Sequence, residues 1–191
     1  MKRPAPLSDG TYTIQQKNTM RFLDAHESGA ENYGAVTRTA QGDESQKWVV
    51  KAAGDGAYTI QQMVNMRFLD AYEDDLNDYA ACTRTEQKND SQKWVLTAAD
   101  GAYTIQHKIN MRFLDAYEDS GHDYLVVTRG AQGNDSQKWV LTATGEGPPS
   151  KRPRHFEPKY DFTLTFLDGS KKKLSDMFDG KPVMLYQYQA F

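Results

Sequence analysis

The chain has 191 residues, with 23 Lys and Arg against 26 Asp and Glu, a net charge of −3 and 26% charged residues. That balance offers no broad basic field for nucleic acid or an anionic membrane, and no apolar run reaches the roughly 18 residues of a membrane span. A single cysteine, Cys82, rules out an intrachain disulfide.

The leader, residues 1–9, is basic at its start but lacks the apolar stretch of a secretory signal. With the lone cysteine, this leads us to expect a cytoplasmic protein. The chain then repeats itself three times, over residues 10–55, 56–100 and 101–145. Each copy opens on a glycine (Gly10, Gly56, Gly101) and closes on a tryptophan (Trp48, Trp94, Trp139), 38 residues on in every copy. Such a period is to be read before any local motif, because it implies pseudo-threefold architecture and a site that can recur three times.

Within the first copy, "TYTIQQ" alternates apolar and polar residues, with Tyr12 and Ile14 on one face. "RFLDAHE" alternates again, Leu23 and Ala25 facing one way and Phe22, Asp24 and His26 the other. "AVTR" and "KWVV" supply two further runs. Period-2 runs of this length between Gly, Asn, Asp and Ser clusters predict short strands and an all-β fold. Four strands in each of three copies give twelve, which suits a small barrel closed by hairpins. Three propeller blades would be too few, since propellers take about four to eight. A single copy cannot bury both its faces, so Tyr12, Ile14, Leu23, Val36, Trp48 and their counterparts must pack against the other copies. Cys82, where the other copies carry Val36 and Val127, reads as a small core residue. The Asn-Asp-Ser triplets at 89–91 and 134–136 read as turns. The variation QQK, QQM, QHK marks an exposed loop, and His107 and His122 read as surface polar residues.

Residues 146–159 are rich in Gly, Pro and charge and read as a linker. In the tail, residues 160–191, Phe162, Leu164 and Phe166 alternate as in a strand, and Asp168-Gly169 signals a tight turn. "KLSDMF" suggests a short helical turn and "PVMLYQYQAF" a strand. This order resembles the start of a thioredoxin-like domain, a short α/β fragment that would end before any redox cysteine.

Each copy ends in Gln-x-Trp, at Gln46-Lys47-Trp48, Gln92-Lys93-Trp94 and Gln137-Lys138-Trp139. Upstream stand Leu23-Asp24-Ala25, Leu69-Asp70-Ala71 and Leu114-Asp115-Ala116. Three such pairs in register resemble the ricin-B-type β-trefoil, a carbohydrate-binding fold, over about residues 8–145. The resemblance implies that Asp24, Asp70 and Asp115 accept hydrogen bonds from vicinal sugar hydroxyls. The family's aromatic platform falls on Val36, Cys82 and Val127, none of which is aromatic, and Ser45, Ser91 and Ser136 stand where an Asn is common. Tyr33, Tyr79 and Tyr124 are a replacement platform. His26, Tyr72 and Tyr117 share the aspartate's strand face, and Arg38, Arg84 and Arg129 recur in every copy. Asp, aromatic and Arg together make a polar ligand site. The bland alternative is that the aspartates form half-exposed structural ion pairs with those arginines and the tyrosines simply pack.

The sequence holds no Cys/His cluster of metal-binding spacing, no phosphate-binding glycine loop and no nucleophile–base signature. The expectation is a monomeric, non-enzymatic lectin-like module that binds glycans through up to three shallow sites, without cofactor, metal, nucleic acid or membrane insertion. The alternatives are a protein–protein interaction scaffold on the same fold, or an accessory domain of a thioredoxin-like redox protein.

Overall fold

The structure is a computed structural model that describes residues 6–146, 163–165 and 170–173. The chain divides into two units, residues 1–148 and 149–191. The first carries twelve strands: β1 Gly10–Gln16, β2 Phe22–Ala25, β3 Ala35–Arg38, β4 Lys47–Ala52, β5 Ala57–Gln62, β6 Phe68–Ala71, β7 Ala81–Arg84, β8 Trp94–Ala99, β9 Ala102–His107, β10 Phe113–Ala116, β11 Val126–Arg129 and β12 Trp139–Ala143. Six of them, in the order β1, β4, β5, β8, β9, β12, pair antiparallel around a closed ring, β12 returning to β1. The other six form three hairpins, β2–β3, β6–β7 and β10–β11, one from each copy. This is a β-trefoil: a six-stranded barrel and a triplet of hairpins. A closed barrel leaves no unpaired edge.

The hairpins meet one another about the pseudo-threefold axis. Thr37 N–H donates to the Tyr124 carbonyl, Thr83 N–H to that of Tyr33 and Thr128 N–H to that of Tyr79, at 2.9–3.0 Å. Each hairpin therefore satisfies backbone groups of the next copy, as the repeat required. The strand β8 passes into β9 through Asp100-Gly101, both at positive φ (51° and 77°). That is the two-residue turn geometry whose twist matches paired strands.

Trp48, Trp94 and Trp139 are fully buried, with Ile14, Ile60 and Ile105 and Leu23, Leu69 and Leu114 around them. Each indole N–H donates to the carbonyl of the leucine in its own copy, Leu23, Leu69 or Leu114, at 2.9–3.0 Å. The glutamines of Gln-x-Trp close the loop before the tryptophan. Gln46 donates to the Thr39 carbonyl and accepts from Gln41 N–H, both at 2.9 Å, and Gln92 and Gln137 repeat the arrangement. One-turn 3-10 helices at Asp90–Gln92 and Asp135–Gln137 form where turns were expected at the Asn-Asp-Ser triplets, and Glu44–Gln46 forms a third in the first copy.

Two expectations are corrected here. The second residue of the QQK, QQM and QHK stretches is not exposed: Gln16, Gln62 and His107 are fully buried. His107 is accordingly no surface polar residue. Its ring lies 4.9 Å from that of Trp94 and its Nε2 is 2.8 Å from the Ser91 carbonyl. The same carbonyl position takes the side-chain amide of Gln16 or Gln62 in the other copies. A buried amide and a buried imidazole both satisfy one carbonyl, which the local pattern did not reveal. His122 is exposed, as expected.

The substitution of imidazole for amide has a cost. In the first two copies the buried Gln accepts from Thr19 Oγ1 or Asn65 Nδ2 at 2.7 Å. In the third, His107 Nδ1 and Asn110 Nδ2 are both buried without a hydrogen-bond partner among the described residues. Unsatisfied buried polar atoms cost about 1–3 kcal/mol. His107→Gln is expected to stabilise the fold by about 1 kcal/mol, seen as a rise of about 2–4 °C in the melting midpoint.

Cys82 sits among buried residues of β7. Burial pushes its thiol up to about 11. The thiolate is the reactive form, so Cys82 is expected to resist a disulfide exchange reagent at pH 8 in the native protein and to react on unfolding.

In the second unit, β13 Thr163–Thr165 pairs antiparallel with β14 Lys171–Lys173. Asp168-Gly169, Phe162, Phe166, "KLSDMF" after its first residue Lys173, "PVMLYQYQAF" and the linker from 147 to 159 lie outside the described residues, as do residues 1–5.

Candidate functional site

The aspartates expected to contact ligand are on β2, β6 and β10, and their burial is the first finding. Asp24 and Asp70 are 0% exposed and Asp115 is 1% exposed. Alternation puts them on the face opposite Leu23, Leu69 and Leu114, yet that face is covered too. One oxygen of each carboxylate accepts from the following backbone N–H (Ala25, Ala71, Ala116) at 2.7–2.8 Å. The other accepts from Ser45, Ser91 or Ser136 Oγ at 3.1–3.2 Å.

The arginines at the ends of β3 and β7 complete the cover. Arg38 lies 3.6 Å from Asp24 and Arg84 3.3 Å from Asp70, with the guanidinium-bearing side chains about a third exposed. In the third copy Gln137 Nε2 donates to Asp115 at 3.3 Å instead. The ion pairs expected in the bland reading thus form in two copies, but around fully buried carboxylates rather than half-exposed ones.

The residue two after each aspartate meets the arginine. Arg84 lies over the ring of Tyr72 at 4.6 Å and Arg129 over that of Tyr117 at 4.4 Å. In the first copy His26 Nδ1 is 3.2 Å from Arg38, and its Nε2 is 3.3 Å from Asp123. Tyr72 accepts from Asn32, and Tyr117 donates to Asp78 at 2.7 Å. That bond to a carboxylate holds the Tyr117 phenol above its ordinary value. Asp, Arg and a ring are therefore linked in the first two copies, whereas in the third Arg129 meets Tyr117 and Asp115 is met by Gln137.

Tyr33, Tyr79 and Tyr124 stand elsewhere. They are half-buried at positive φ (51°, 50° and 52°) at the hairpin tips. Each ring is covered at 3.6 Å by an arginine of a different copy: Arg67 on Tyr33, Arg112 on Tyr79, Arg21 on Tyr124. Those arginines also donate to the carbonyls of Thr83, Thr128 and Thr37. One face of each ring is already engaged, and the pair clasps neighbouring copies. Sequence reasoning missed Arg21, Arg67 and Arg112. The signal was present, since "MRFLDA" is identical in all three copies, but nothing local shows that an arginine beside a strand reaches a tyrosine of another copy.

Between the first and second copies lies a cleft of about 460 Å³. Tyr33 and Arg67 form one wall, Met66 and Phe68 are apolar lining, and Glu27 and Glu86 bring carboxylates. Among the described residues no group of three or more His, Cys, Asp or Glu could hold a metal ion, and no helix is long and apolar enough to cross a membrane.

The barrel, the hairpin triplet and three Gln-x-Trp closures define a β-trefoil of the lectin-like class. The chain belongs to the ricin-type β-trefoil lectin domain-like family, whose profile matches residues 4–84 and 90–151. No curated protein matches it. Among solved structures it is similar to the agglutinin of Rhizoctonia solani, at 24% identity and a TM-score of 0.63 over 73% of this chain and 99% of that one. It is also similar to the designed threefold-symmetric protein ThreeFoil, at 22% and 0.64 over 70% and 99%. A third is the Polyporus squamosus lectin bound to Neu5Acα2-6Galβ1-4GlcNAc, at 19% and 0.62 over 73% and 50%. Likenesses at these identities show the fold. They give the thioredoxin-like reading of residues 160–191 no support.

Proposed function

We propose that this protein is a carbohydrate-binding, lectin-like module without catalytic activity, with up to three shallow sites, one per copy. The observation that carries this reading is a threefold recurrence. At the position where the family resemblance puts a sugar-contacting carboxylate, an arginine and a ring stand beside it in two copies, Asp24 with Arg38 and His26 and Asp70 with Arg84 and Tyr72, and the third repeats the Arg129–Tyr117 pair next to Asp115 in sequence. Family membership and the glycan-bound lectin among the similar structures support it.

In this reading the aspartate and the arginine have different roles. A carboxylate with no exposed surface, already accepting from a backbone N–H and a serine, acts through the arginine that covers it. The guanidinium offers N–H donors to sugar oxygens in a fixed fork. Single sites of this kind bind weakly, and three on one body gain on the order of 10²–10⁴ by avidity where the geometry allows.

A glycan array on the intact chain finds the ligand, and calorimetry on Arg38→Ala, Arg84→Ala and Arg129→Ala tests the sites. Each variant is expected to lower the stoichiometry by one site. An array with no hits turns the assignment towards an interaction scaffold, and unaltered stoichiometry in all three variants removes these residues from the site.

A further inference from the structure

The three copies agree so closely that the places where they part are informative. One of them falls in the cleft between the first and second copies. The position of Glu86 there is Ala40 in the first copy and Ala131 in the third. Glu27, opposite in sequence, has counterparts in Glu73 and Glu118. Of the three copies only the second carries a carboxylate at this position, and it lines the cleft with the first copy.

The hydrogen-bonding state of its lining is lopsided. Glu27 and Glu86 are exposed and have no hydrogen-bond or ion-pair partner among the described residues. Gln61 spends its amide donor on the Met66 carbonyl at 2.8 Å, which leaves Oε1 as an acceptor. The cation present, Arg67, is held on Tyr33 and donates twice to the Thr83 carbonyl. Free acceptors thus outnumber free donors. Met66 and Phe68 add apolar surface to the lining. Ligand pockets of roughly 300–1,000 Å³ combine such an apolar lining with a few polar groups that fix orientation.

The geometry points to a further sugar subsite in this cleft, distinct from the three Asp–Arg sites. It takes an uncharged pyranose, whose hydroxyls donate to Glu27, Glu86 and Gln61 Oε1 and whose C–H face lies on the apolar lining. It is closed to sialylated or sulfated sugars, because two unpaired carboxylates repel a third anion. The inference rests on the glycan-binding reading and adds to it a site and a charge preference. It also explains why a pseudo-threefold chain need not bind three times alike.

The test is an amide chemical-shift titration of the ¹⁵N-labelled full chain. The probes are the methyl glycosides of galactose, glucose, mannose and N-acetylglucosamine, with N-acetylneuraminic acid as the anionic counterpart. At least one neutral glycoside is expected to shift the amides of residues 61–68, which are remote in sequence from Arg84. Glu86→Ala, at an exposed position, is expected to weaken that response about tenfold, the loss of one hydrogen bond to a charged group. Ala131→Glu is expected to create the matching response at residues 106–113, and N-acetylneuraminic acid to leave the cleft unshifted. Shifts confined to the surroundings of Arg38, Arg84 and Arg129 overturn the subsite while sparing the glycan-binding reading. Shifts nowhere, with any probe, overturn both. An equal response to N-acetylneuraminic acid in the cleft, or no effect of Glu86→Ala, overturns the subsite as described.

Discussion

Replacing Trp94 by alanine is expected to lower the stability of the protein by about 3–5 kcal/mol, the range for emptying a large aromatic site in a close-packed core. Three features place it in the upper part of that range. The indole is fully buried, its N–H donates to the Leu69 carbonyl at 3.0 Å, and the His107 ring packs against it. Alanine would leave that carbonyl without its donor and a cavity where the ring had been. The neighbouring ring is tied to the Ser91 carbonyl and does not collapse freely into the gap. Denaturant unfolding followed by circular dichroism measures the difference. A loss under 1 kcal/mol would mean that the barrel core relaxes around the missing ring, against the packing described.

How far the sequence spoke for itself depended on whether the contacts were local. Tyr12, Ile14, Leu23 and Trp48 declared their faces through alternation and repetition, and the buried core follows them. The Asn-Asp-Ser triplets announced turns, and the glutamines that follow them, Gln92 and Gln137, close the loops. The repeat also announced that neighbouring copies must complete one another, but not with which side chains. The Arg67–Tyr33 clasp joins residues 34 positions apart in different copies, and no periodicity encodes such a pair. His107 misled for a related reason. A histidine at a position held elsewhere by glutamine looks like tolerance at a surface, whereas both residues serve one buried carbonyl. Asp24 misled through polarity. A carboxylate on the outward face of a short strand is expected to be wet, but the serine of the next turn and the arginine of the paired strand roof it over.

That roof makes the second large effect. An exposed ion pair contributes about 0–1 kcal/mol, and were Asp70 half-exposed, its removal would scarcely register. Asp70 is 0% exposed, however, and it accepts from Ala71 N–H at 2.7 Å and from Ser91 Oγ at 3.1 Å beside Arg84 at 3.3 Å. Asp70→Ala would leave a buried backbone N–H without an acceptor, at about 1–3 kcal/mol, and would strip Arg84 of its counter-charge. Breaking a fully buried pair costs about 3–5 kcal/mol, but the Arg84 side chain is 29% exposed and regains water. The single hydroxyl proton of Ser91 turns to Asn89 Oδ1, 2.7 Å away. Both facts pull the expected loss down to about 2–3 kcal/mol. Asp70→Asn retains an oxygen for the Ala71 N–H and is expected to lose about half as much. Paired melting and glycan-binding measurements on the two variants then separate the roles. If the aspartate acts by orienting Arg84, Asp70→Asn folds well and binds weakly, and Arg84→Ala binds no better than Asp70→Asn does. If uncovering the carboxylate in Arg84→Ala strengthens glycan binding instead, the carboxylate itself is the contact, and the arginine is a cover that the ligand displaces.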